Sequence, residues 1–94
     1  MSYVEPTFLH DPNANLDYSW SWVDWLADGE TITSSTVTVE TTGLTLGAKT
    51  SAAGVVTQWV SGGTAGVAYR MTCHVTTSAG RQDERSMRLR CVDR

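Results

Sequence analysis

The chain has 94 residues, a formal net charge of −3, two cysteines, and only two prolines against eight glycines. A length of this order makes one domain, spanning residues 1–94. Two cysteines are too few for a disulfide scaffold, no apolar run approaches the roughly 20 residues of a membrane span, and the opening MSYVEPTFLHD has neither the basic nor the apolar part of a signal peptide, so a soluble protein made in a cytoplasm is expected.

A chain this short buries only about 60–65% of its unfolded surface, and its core is thin. Large aromatics give the most burial per residue. Threonine, serine, valine and glycine dominate, a composition that suits strands and turns. Residues 1–10, with Phe8 and Leu9, read as an arm or a short edge strand. HDPNAN at residues 10–15 reads as a turn. Leu16, Tyr18, Trp20 and Trp22 then alternate with Asp17, Ser19 and Ser21, which predicts a half-buried strand with those four side chains on one face.

After Trp22 the parity breaks. Trp22, Trp25 and Leu26 follow an i, i+3, i+4 spacing behind a Ser21…Asp24 capping box, which predicts one helical turn over residues 22–26. That turn folds Trp25 and Leu26 over the end of the core as a plug, while Trp20 and Trp22 belong to the core itself.

Residues 31–40 (TITSSTVTVE) predict a strand interrupted at Ser34-Ser35. A turn at residues 41–43 leads to a short strand at 44–46, and residues 47–54 read as a loop of small residues. Residues 55–60 predict another strand, and SGGTAG a glycine-rich turn. Over residues 67–77 Val67, Tyr69, Met71, Cys73 and Val75 point one way, and Ala68, Arg70, Thr72, His74 and Thr76 the other. A hairpin turn at residues 78–81 precedes a last strand with Met87, Leu89 and Cys91 inward and Arg88, Arg90 and Val92 outward. Six or seven short strands at regular spacing predict an all-β fold, an antiparallel immunoglobulin-like sandwich, with Tyr69 at the position of a tyrosine corner.

No nucleophile motif or phosphate-binding loop appears, and His10 and His74 lack metal-ligand spacing. No enzyme, cofactor or metal is expected. Asp24, Asp28 and Glu30 are read as a solvated turn with a capping carboxylate rather than a catalytic pair or a calcium loop. A tight turn near Gly80 sets Cys73 opposite residue 86 or 87, too far from Cys91 for a disulfide, so both are read as buried thiols.

Arg70, Arg88 and Arg90 form an outward basic stripe. It lacks aromatics on an acidic protein, which points away from nucleic acid and towards an acidic protein surface. With Val56 and Val60 inward, Trp59 turns outward as an interface anchor or a sugar platform. That phase also turns Gln58 inward, which counts against it; the opposite phase buries Val55 and Trp59. Residues 1–40 carry seven acids and no Lys or Arg, while all six arginines lie between Arg70 and Arg94. The two halves either neutralise each other within one molecule or present opposite faces to neighbouring copies.

The segments DPNANLDYSWSWVDWLADGETI and VSGGTAGVAYRMTCHVTTSAGRQDERSMRLRC, which open at Asp11 and close at Cys91, together resemble a group of small proteins of tailed bacteriophages and prophages. The resemblance implies an immunoglobulin-like virion structural protein with no catalytic residues. What carries over is scaffold: Tyr18, Trp20, Trp25, Leu26, Gly62, Gly63, Tyr69, Gly80 and Arg81. Gln58 and Cys73 depart from the aliphatic residues often found there.

The expected function is therefore a non-enzymatic virion structural protein, made in the bacterial host, serving in capsid decoration, in the neck or with the tail fibres. It would dock other virion proteins, and copies of itself, through Trp59, Arg70, Arg88 and Arg90. The core is expected at Tyr18, Trp20, Trp22, Trp25, Leu26, Tyr69, Met71 and Leu89. The alternative is a carbohydrate-binding module with a glycan ligand for host attachment.

Overall fold

The computed structural model describes residues 5–93; the first part of the expected N-terminal segment, residues 1–4, and Arg94 lie outside the described residues. Seven strands form: β1 (Thr7–His10), β2 (Asn15–Ser21), β3 (Ile32–Val39), β4 (Leu44–Ala52), β5 (Val55–Gly62), β6 (Ala68–Thr77) and β7 (Gln82–Cys91). They make a four-stranded sheet ordered β1-β7-β6-β3 and a three-stranded sheet ordered β2-β5-β4. All pairs are antiparallel except β1 with β7. The β2-β5-β4 sheet facing the β7-β6-β3 sheet has the strand order of an immunoglobulin-like sandwich.

Period-two patterning decides which side chains meet between the layers. Tyr18 and Trp20 on β2, with Val56 and Val60 on β5, face Met71, Cys73 and Val75 on β6 and Met87 and Leu89 on β7; Trp22 follows β2 into the same buried cluster. Burying an indole removes roughly 150–250 Å² from water, about 4–6 kcal/mol at the usual area coefficient. Two such rings dominate a core this small. Trp22 also donates from Nε1 to Asp83 Oδ2 at 2.8 Å, so its polar edge is satisfied.

Tyr69 is buried at the top of β6 and its hydroxyl accepts the Thr64 N–H at 3.0 Å. Its ring occupies the space beside Gly43, whose φ is 133° and where a Cβ would stand 2.6 Å from the phenolic oxygen.

Three local expectations are corrected. Residues 47–52 are not a loop: β4 runs to Ala52 and joins β5 through a tight turn at Ala53-Gly54, both with positive φ. At residues 22–26 the chain makes a single turn, in which the Trp25 and Leu26 N–H groups both donate to the Trp22 carbonyl, and it does not extend into a helix. The irregularity in β3 falls between Ile32 and Ser34, ahead of the serine pair. Cys73 pairs with Arg85 rather than residue 86 or 87, and both cysteines are buried free thiols.

Candidate functional site

Alternation leaves each sheet one outward face, and the two differ in chemistry. On the β2-β5-β4 sheet Asp17 and Ser19 of β2 lie opposite Trp59 and Thr57 of β5. Ser19 Oγ and Thr57 Oγ1 are hydrogen-bonded at 2.9 Å. On the other flank Leu46 pairs with Val60 and Lys49 with Gln58, so Gly47 and Ala48 both stand against Trp59 as a bulge. Gly47 leaves room there: a Cβ would already touch the Trp59 Cβ at 3.5 Å.

The bulge frees backbone carbonyls, and Gln58 takes them up from below. Its Nε2 donates to Gly47 O at 3.0 Å, to Ala48 O at 3.3 Å and to Trp59 O at 2.9 Å. A buried amide thus fixes the backbone that carries the outward indole. Trp59 is 39% exposed and, among the described residues, is the only aromatic of that face, which otherwise carries mostly Ser, Thr and Ala, with Asp17, Asn15 and Val55.

The outward face of the β1-β7-β6-β3 sheet is charged. Arg70 and Arg88 are direct cross-strand partners, a repulsive pair on its own. Glu5 bridges them, 2.9 Å from Arg70 Nε and 3.4 Å from Arg88 Nε, and Glu40 sits 3.0 Å from Arg70 Nη1. The Arg70 hydrogen bond holds the Glu5 carboxyl below its usual range, and the same bond raises the Arg70 guanidinium. Acids of the N-terminal half therefore neutralise arginines of the C-terminal half within one molecule. Arg90 has no ion-pair partner among the described residues. The three arginines of the stripe are thus unequal: Arg70 is held twice, Arg88 shares an acid, and Arg90 is free to pair.

Trp25 and Leu26 are half-buried and pack against the core's end rather than within it. An arginine, not a second layer of side chains, covers the indole: Arg81 Cζ lies 3.9 Å from the Trp25 ring centroid. Arg81 also grips Glu30, whose Oε2 accepts from Thr77 Oγ1 at 2.6 Å and whose Oε1 accepts the Ala27 N–H at 2.9 Å. Glu30 is no solvated carboxylate; its side chain is 4% exposed, and the Arg81 hydrogen bonds lower its pKa to about 2.

His10, expected in a turn, is the buried last residue of β1, with Nδ1 2.7 Å from the Tyr18 hydroxyl. Nothing in the spacing around it signalled that contact. His74 pairs with Glu84 at 3.1 Å and Gln82 at 2.9 Å, and no group of three metal-ligating side chains forms among the described residues.

These outward faces on a rigid sandwich suit contact with other proteins. The family model described as podophage GP4 fiber-tail adaptor protein gp77 matches residues 10–90. The chain belongs to the gp77 family. No curated protein matches it. Membership makes it a structural protein of tailed phages, a tail-associated component of the virion that works through contact with other virion proteins. The gp77 match spans β2 to β7 and the core described above, and begins at His10, the last residue of β1.

Proposed function

We propose that this gp77-family chain bridges tail and fibre by rigid docking, with the Trp59 face as one contact and the Arg88–Arg90 stripe as the other. The reading is supported by one observation above all. A buried amide and a strand bulge are spent on holding a solvent-facing indole in a face of mostly small side chains. Indoles of this kind act as interface anchors. The family description supplies the class of partner.

A lone tryptophan favours protein docking over the glycan alternative, since sugar platforms stack several solvent-facing rings in a row. The test is isothermal titration of the chain against the fibre protein and the tail protein of its own phage. Trp59→Ala is expected to weaken one of the two contacts tenfold or more. Arg90→Ser is expected to weaken the other and to reduce its salt dependence. Unchanged affinity of both partners for Trp59→Ala overturns the reading.

A further inference from the structure

We propose that a second copy of the chain seats its β1 edge in the groove at the far end of the sandwich, so that copies join head to tail. The groove lies between the turn after β2 and the β4–β5 hairpin turn. It holds about 460 Å³ and is walled by Val23, Leu26, Ile32 and Ala52, with Asp28 among its lining residues. Val23 is 55% exposed there, a large apolar group left open to water. Among the described residues no cation pairs with Asp28 or with nearby Asp24.

The complementary feature is at the other end of the strands. Leu9 is 53% exposed on the edge strand β1, while its neighbour Phe8 turns to the other side, against the Tyr18 ring. Leu9 stands directly across from Arg90, the arginine without an acid. β1 accompanies only the last part of β7, from Arg88 to Cys91. The first residues of β7 follow the turn that is hydrogen-bonded to the groove, through Ser78 N–H to Thr31 O at 2.8 Å. One molecule therefore cannot bring its own edge to its own groove.

Charge then selects the occupant. Two grooves facing each other set acid against acid, and two edges set arginine against arginine. Groove against edge pairs Asp28 with Arg90 and gives Leu9, on the same outward side as Arg90, an apolar seat. Such a contact is heterologous: every link leaves one groove and one edge free, so copies close into a ring or extend as a filament. A contact built on one exposed leucine and one ion pair is small beside the roughly 1,000 Å² of a stable interface, so single links are expected to be weak and to accumulate strength only in an array. The inference does not rest on the fibre-docking reading; a chain that binds its fibre yet never self-associates overturns this inference alone.

The experiment is sedimentation velocity at protein concentrations up to about 1 mM, the range in which weak contacts register. The wild type is expected to form species larger than a dimer as concentration rises. Leu9→Ser/Arg90→Ser removes the edge and Val23→Ser/Asp28→Ser removes the groove; each is expected to stay monomeric alone. Mixed in equal amounts they retain one intact edge and one intact groove, and are expected to form a dimer that grows no further. That recovery also shows both variants are folded. A wild type that stays monomeric, or one that assembles while the mixture does not, overturns the proposal and leaves the groove to another virion protein or a small apolar ligand.

Discussion

Arg81 and Glu30, separated by 51 positions in the chain, form a two-pronged ion pair: Nε to Oε2 at 2.9 Å and Nη2 to Oε1 at 2.5 Å. The pair clasps the β6–β7 hairpin to the turn that carries Trp25, so it fixes the wall of the groove as well as the plug over the core. Glu30 titrates at 4.5 without such partners and at about 2 with them. Its folded pKa is depressed, so its contribution to stability is complete above pH 4.5 and is lost as pH falls towards 2. Urea midpoints measured from pH 6 to pH 2 should drop across that window. Arg81→Met should lower the midpoint at pH 6 and flatten the acid limb; an unaltered limb would show that the clasp contributes nothing.

A second pH window lies higher. His10 is fully buried beside Tyr18, and burial lowers its pKa from 6.5, with the Asp11 carboxylate opposing more weakly. A base with a depressed folded pKa is neutral in both states above 6.5, so stability is complete there. Below 6.5 the unfolded chain takes up the proton first, and stability declines as pH falls. Unfolding midpoints at pH 7.5 and 5.5 should differ for the wild type and coincide for His10→Phe.

How far the sequence discloses the fold depends on whether a residue's partner is near or far. The strands β2 and β6 and the second half of β7 are legible because each alternates cleanly, and the buried sides of Trp20, Met71 and Leu89 follow from parity alone. The second half of β4 is not legible. Apart from Lys49 it holds only Gly, Ala, Ser and Thr, it has no large apolar side chain, and it is a strand because β5 supplies the ladder. Gln58 is the instructive case. Taken alone, an amide between Val56 and Val60 counts against an inward phase, because a buried polar group must be satisfied. The bulge ten and eleven positions away provides the carbonyls that satisfy it. The same holds for His10 and Glu30: Tyr18 reaches His10 from the opposite sheet, and Arg81 reaches Glu30 from another turn, so neither partner shows in the local pattern.

The bulge also makes a test. Gln58→Leu fits the volume but leaves the Gly47 and Ala48 carbonyls without their donor. The cost expected is about 1 kcal/mol, the net loss of hydrogen bonds to part-buried acceptors. Denaturant unfolding reads it directly. A variant as stable as the wild type would mean that the carbonyls find other donors and that Trp59 is not held by this device.

Two glycines with similar backbone conformations separate steric from conformational need. Gly63 has φ 102° and a Cβ there would lie 2.5 Å from Cys91 Sγ; Gly66 has φ 88° and open space around it. Both alanine substitutions incur the left-handed strain of about 1–2 kcal/mol. Gly63→Ala must also displace a buried thiol from the core's edge. Its thermal midpoint should fall well below that of Gly66→Ala, and equal midpoints would remove the packing role assigned to Gly63.

The tryptophans divide by role, and paired measurements on Trp22 and Trp59 expose the division. Trp22 is fully buried and bonded to Asp83; Trp22→Phe keeps an aromatic body but loses that bond and part of the volume. A loss of about 1–3 kcal/mol is expected, with affinity for fibre and tail proteins unchanged once the chain is folded. Trp59→Ser sits on an outward face, away from the buried cluster. Its stability should change by about 1 kcal/mol or less, while one virion contact weakens at least tenfold. Unfolding and titration on the same two proteins decide the matter. If Trp59→Ser unfolds like Trp22→Phe and binds like the wild type, that indole is packing for the bulge, and the docking face must be sought on the arginine side.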